Sequence, residues 1–110
     1  MYGGWQLGHM TLEDYVKKHN KVAEAMWRVD PDAQLVAVGS VGRWSEETLR
    51  NCADQMTHIG EHFYCQNASN IVAHAAQVPN HIKRIADAHR RYRRTIGTLE
   101  GKGIRIALDE

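Results

Sequence analysis

The sequence predicts an α/β fold in which about three parallel strands alternate with helices. Two observations point there. The runs Leu35-Val36-Ala37-Val38 and Ile104-Arg105-Ile106-Ala107-Leu108 are rich in β-branched residues and too short for helices. The first has no polar alternation, as a strand buried on both faces requires. Stretches of helical period precede and separate these runs, so the order is helix, strand, helix, strand, helix, strand.

The first helix follows a Gly-rich, aromatic opening. Thr11 is its expected N-cap, with Asp14 three residues on to suit the positive end of the helix. Leu12, Tyr15, Val16, Val22, Ala23, Met26 and Val29 form one apolar stripe. Asp30-Pro31 ends it, because a residue before proline is pushed out of the α region. The strand at 35–38 closes on Gly39-Ser40. Ser45 is expected to open a second helix, with Trp44 and Leu49 as a hydrophobic staple and Leu49, Cys52, Ala53 and Met56 facing inward. A second strand is expected over 59–64, diluted by Gly60, Glu61 and His62. Helix then runs over about 70–96, broken near Pro79, with Ile82, Ile85, Ala86, His89 and Tyr92 on one side. Gly97, Gly101 and Gly103 lead into the last strand, and no internal domain boundary interrupts residues 1–110.

Composition excludes several classes. A net charge of +1 gives no bulk attraction to nucleic acid or membrane. No apolar run approaches the roughly 20 residues of a membrane span. The opening residues lack the features of a signal peptide, and the sparse, reduced cysteines favour a cytoplasmic setting. Cys52 and Cys65 are too few for a disulfide framework and read as reduced packing residues. His58 and His62 share a strand face without a third ligand, so neither a metal nor any other cofactor is expected. The run His-Arg-Arg-Tyr-Arg-Arg at 89–94 reads as the solvated face of a helix rather than a nucleic-acid patch. Glycine-rich phosphate loops and nucleophile elbows do not occur.

Three parallel strands leave two long edges, as expected either of a cut piece of a larger sheet or of a compact three-strand domain covered on both faces. In β/α barrels the chemistry sits at the C-terminal strand ends. Those ends carry Gly39-Ser40, then His62 and Tyr64, then Asp109-Glu110.

Four motifs in register resemble one family. Met1-Tyr2-Gly3-Gly4-Trp5-Gln6-Leu7-Gly8-His9 resembles the stretch after the Asn-Glu acid/base pair of glycoside hydrolase family fifty-one, the α-L-arabinofuranosidases. Val29-Asp30-Pro31-Asp32, with the strand after it, is similar to that family's next helix end and strand. Glu61-His62-Phe63-Tyr64 is similar to its His-x-Tyr strand end, and Ile106-Ala107-Leu108-Asp109-Glu110 to the segment ending in its nucleophile. The resemblance implies a partial (β/α)8 TIM barrel, from just after strand four to the end of strand seven.

It also implies a retaining hydrolase of terminal α-L-arabinofuranosyl groups in arabinosides, arabinan or arabinoxylan. Glu110 would be the nucleophile, and the acid/base glutamate would lie outside the chain, so the isolated chain is expected to be inactive. Retaining chemistry needs two carboxyls about 5 Å apart. The Tyr64 hydroxyl would hold the nucleophile's orientation, His62 would line the pocket, and Trp5 would offer a flat apolar face to a sugar. Asp109 is expected to orient neighbours rather than react. A related retaining xylosidase or glucanase, and a basic-helix binding module, are the rival readings. Homo-oligomerisation of a parent enzyme is left open.

Overall fold

The computed structural model describes residues 4–109. In chain order the elements are α1 (Leu12–Val29), β1 (Val36–Val38), α2 (Arg43–Cys52), β2 (His58–Glu61), α3 (Ile71–Ala75), α4 (Gln77–Thr95), a 3-10 turn (Gly97–Leu99) and β3 (Arg105–Leu108). The strands form one parallel sheet in the order β1-β2-β3. The predicted alternation is therefore present.

Local chemistry explains most boundaries. The Thr11 hydroxyl accepts the Asp14 amide at 3.1 Å and donates to its carboxylate at 2.9 Å, closing the start of α1. Asp30 ends that helix in extended conformation before Pro31. The Asn70 side-chain oxygen accepts the Ala73 amide at 2.9 Å and caps α3. The long helical stretch breaks at Ala76, and Pro79 stands in the first turn of α4, where a helix needs no amide hydrogen.

Several expectations need correction. Helix α2 begins at Arg43, two residues before Ser45, because Gly42 at φ 124° turns the chain early. Ser45 is thus inside the first turn rather than a cap. Trp44 is no staple either: its indole N–H donates to the Val38 carbonyl at 3.1 Å, and its ring lies 5.2 Å from that of Tyr15. Strand β2 runs 58–61 rather than 59–64, leaving His62 and Tyr64 just beyond the ladder. Finally, the strands are not buried on both faces. Val36, Ile106 and Leu108 are exposed because both outer strands are sheet edges.

Packing concentrates on one side of the sheet. Ala37 and Ile59 pair in register and point at Leu49, Cys52 and Ala53 of the α2 region and at Ala88 and Tyr92 of α4. Deeply buried Tyr92 reaches across to Gly42, accepting its amide at 2.9 Å and donating to its carbonyl at 3.2 Å. The stripe of α4 is rotated from expectation, with Ala88 inside and Ile82 exposed. On α1 only Tyr15 and Ala23 are buried. Val22 and Met26 instead line an open apolar groove of about 350 Å³ together with Leu35 and Val36.

The two cysteines differ. Cys52 is in the core, where burial pushes its thiol up to about 11, whereas Cys65 is exposed and does not pack as expected. A disulfide reagent at pH 8 is expected to titrate one thiol per chain at once and the second only on unfolding. Two equally fast thiols would show that the core seen around Cys52 does not persist in solution.

Candidate active site

The C-terminal strand ends gather polar groups on both faces of the sheet. Successive residues of a strand point to opposite faces, so His58 and Gly60 lie on one and Ile59 and Glu61 on the other. Register pairs His58 with Arg105 and Gly60 with Ala107. One step beyond the ladder, the Asp109 carboxylate lies 3.9 Å from Nδ1 of His62. The ring centroids of His62 and Tyr64 are 6.2 Å apart. Between them, Phe63 turns the other way and stacks on His81 of α4, 4.9 Å between centroids. That stack fixes which side His62 and Tyr64 face. Side-chain exposure is 22% for His62 and 55% for Asp109, so the pair is reachable from solvent.

The structure thus brings His62, Tyr64 and Asp109 together, as expected from strand ends. Trp5 is different: it is 84% exposed on a turn and packs against almost nothing among the described residues. Glu110 lies outside the described residues.

The helix-facing side holds a network that sequence reasoning missed. Glu61, fully buried, accepts from the Ser45 hydroxyl at 2.6 Å and pairs with Nε2 of His89 at 2.7 Å, both at the same carboxylate oxygen. Ser45 in turn accepts the Ser40 amide at 2.8 Å. Three elements, α2, β2 and α4, are therefore tied at the sheet end that presents His62. The second Glu61 oxygen is buried without a hydrogen-bond partner among the described residues. Two signals were available: Glu61 interrupts a strand two residues after Ile59, and His89 sits on the inward stripe of α4.

Two arginines of 89–94 are engaged locally. Arg90 pairs with Asp87 at 2.8 Å, and Arg93 donates to the carbonyls of Lys102 and Ile104. Together with Lys83, Arg90 holds the Asp87 carboxyl below its usual range, Lys83 being the larger cause. Among the described residues no group of three or more His, Cys, Asp or Glu side chains is placed to hold a metal ion. Nor is any helix long and apolar enough to cross a membrane.

No family model matches the chain, but individual proteins do. The intracellular exo-α-(1→5)-L-arabinofuranosidase of Streptomyces lividans is 30% identical, over 96% of this chain and 16% of its own length. The intracellular exo-α-(1→5)-L-arabinofuranosidase 1 of Bacillus subtilis is 28% identical, over 100% of this chain and 24% of its own length. Among solved structures, the thermostable GH51 α-L-arabinofuranosidase of Thermotoga petrophila matches with a TM-score of 0.86 and 28% identity, covering 98% of this chain and 22% of that one. The arabinose complex of the Thermotoga maritima enzyme gives the same values. The chain spans about a quarter or less of the length of these relatives. Its three parallel strands and their helices have the arrangement of a portion of the arabinofuranosidase barrel.

Proposed function

We propose, from the premise that this chain is homologous to a stretch of the family 51 α-L-arabinofuranosidases, that it carries part of the sugar site of a retaining glycoside hydrolase. The substrate is a terminal α-L-arabinofuranosyl group of an arabinoside, arabinan or arabinoxylan. The observation that carries this reading is the meeting of His62, Tyr64 and Asp109 at one end of adjacent parallel strands.

Each residue has a role. Glu110, next in the chain after Asp109, attacks the anomeric carbon and forms a glycosyl-enzyme, while a second carboxyl outside this chain gives its proton to the leaving oxygen and then takes one from the water that hydrolyses the intermediate. A nucleophile of this kind must stay ionised, so it needs hydrogen-bond donors nearby. Tyr64 supplies a hydroxyl, and His62 a ring nitrogen facing the sugar. Trp5, projecting into solvent, offers its ring to the substrate once the rest of a barrel stands opposite. The apolar groove beside β1 and the exposed outer face of β3 are where neighbouring strand–helix units pack. We place the enzyme in the cytoplasm, in keeping with relatives named intracellular.

A chimera tests this. The 110-residue chain replaces the matching segment of the Thermotoga petrophila enzyme, and hydrolysis of aryl α-L-arabinofuranoside and aryl β-xyloside is followed side by side. The expected result is arabinofuranosidase activity that Glu110→Gln lowers roughly 10⁴-fold or more. The chain alone is expected to show no rate, for want of the second carboxyl. A folded chimera that spares the arabinoside, or a Glu110→Gln chimera of undiminished activity, overturns the proposal. Preference for the xyloside would move it to the related xylosidases.

A further inference from the structure

Gly60 does more than complete a strand. Its Cα faces the same side as His62, and a Cβ built there would lie 2.8 Å from Oδ2 of Asp109 and 3.4 Å from its Cγ. The Asp109 side chain therefore leans back over Gly60, in the space that any larger residue would fill. From that place its other oxygen, Oδ1, lies 3.9 Å from Nδ1 of His62. Other groups near the imidazole among the described residues are turned to other partners or present a ring. Tyr64 presents its ring at 6.2 Å, and His58, two pleats back on the same face, is bonded through Nδ1 to the Thr57 hydroxyl at 2.9 Å. Glu61 points through the sheet to His89, and His81 of α4 is stacked on Phe63. Among the described residues, Asp109 is the carboxylate that faces His62.

The geometry points to Gly60 and Asp109 as a paired positioning device for His62, with Gly60 making the space that lets the carboxylate stand beside Nδ1 and draw the imidazole hydrogen to that nitrogen. A neutral imidazole carries one hydrogen, on either nitrogen, and the partner of one nitrogen decides the state of the other. A carboxylate beside Nδ1 attracts the hydrogen there. Nε2 is then left as a lone-pair acceptor, suited to a substrate hydroxyl rather than to an anion. The same hydrogen placement would be disfavoured without Asp109, since the Nε2–H form is then free to dominate. This rests on the reading of His62 as a residue of the sugar pocket. It adds that the pocket's acceptor is set by a glycine on one strand and an aspartate on the next.

Long-range proton–nitrogen spectra of the histidine-labelled 110-residue chain, at a pH where His62 is neutral, report the ratio of its two tautomers. His62→Gln identifies the signal. The wild-type chain is expected to hold mainly the Nδ1–H form. Asp109→Ala is expected to lower the Nδ1–H to Nε2–H ratio roughly threefold or more. Gly60→Ala is expected to do the same while the carboxylate is still present, which no loss of charge explains. Because Asp109 is half exposed, Asp109→Ala keeps the test usable should Gly60→Ala fail to fold. A ratio unmoved by Asp109→Ala, or moved by it and not by a folded Gly60→Ala, overturns the pairing. Unmoved spectra together with an active chimera would remove this inference alone. The expected spectra with a folded, inactive chimera would remove the glycosidase reading and leave the positioning intact.

Discussion

Gly39→Ala is expected to destabilise the 110-residue chain by about 3 kcal/mol or more, read as the shift of its urea midpoint at unchanged slope. The reason is spatial. A Cβ at this position would meet the Gly60 carbonyl oxygen at 2.3 Å, Ile59 Cγ1 at 2.9 Å and the Glu61 carboxyl carbon at 3.0 Å. The first obstacle is backbone of the central strand and cannot rotate away. Relief requires β1 and β2 to part where β1 ends, which also disturbs the Ser45–Glu61–His89 network. Gly97→Ala is the control, since nothing lies within 4 Å of a Cβ there. Its cost is expected to stay within about 0.5 kcal/mol. Equal midpoints for the two variants would mean that the strand ends are not packed as described.

The second large effect belongs to the buried pair. His89→Leu is expected to cost about 3 to 5 kcal/mol, because it strands the Glu61 carboxyl in the core with only the Ser45 hydroxyl for company. Such a loss is a large part of the 5 to 15 kcal/mol that ordinary domains possess. Glu61→Gln keeps one oxygen able to accept from both donors and is expected to cost less than half as much. Removing both ends together should be milder than the sum. Glu61→Leu with His89→Leu leaves no lone ionisable group, so a coupling of about 2 kcal/mol is expected in a double-mutant cycle. Strict additivity would show that the two side chains do not meet in solution.

These positions mark how far the sequence could be read. Alternation of helix and strand was legible because each signal is local: Thr11 and Asp30-Pro31 bound α1 whatever surrounds them. The strand-end residues His62, Tyr64 and Asp109 were legible for the same reason, once the strands were taken as parallel. The start of α2 was not, because Ser45 has the chemistry of a cap and only the left-handed φ of Gly42 shows that the helix begins earlier. Nor was the partnership of Glu61 with His89, which depends on α4 crossing behind β2 and is fixed by no spacing in the chain. Burial failed at the edges for a physical reason too. The apolar residues Val36, Ile106 and Leu108 lie on the two outer strands, and no local pattern in the sequence shows that a strand will stand at an edge.

The sheet order also governs timing during synthesis. His58 pairs with Arg105, so β2 gains its second neighbour only after α3, α4 and the 3-10 turn have all been made. At ribosomal speeds that wait is roughly 2 to 10 s, far longer than the microseconds in which a helix forms. For that interval one flank of the nascent β2 is bare, and over its earlier part Glu61 still awaits His89. A chaperone that shields a growing chain would find its longest opportunity there, between the emergence of Glu61 and that of Arg105.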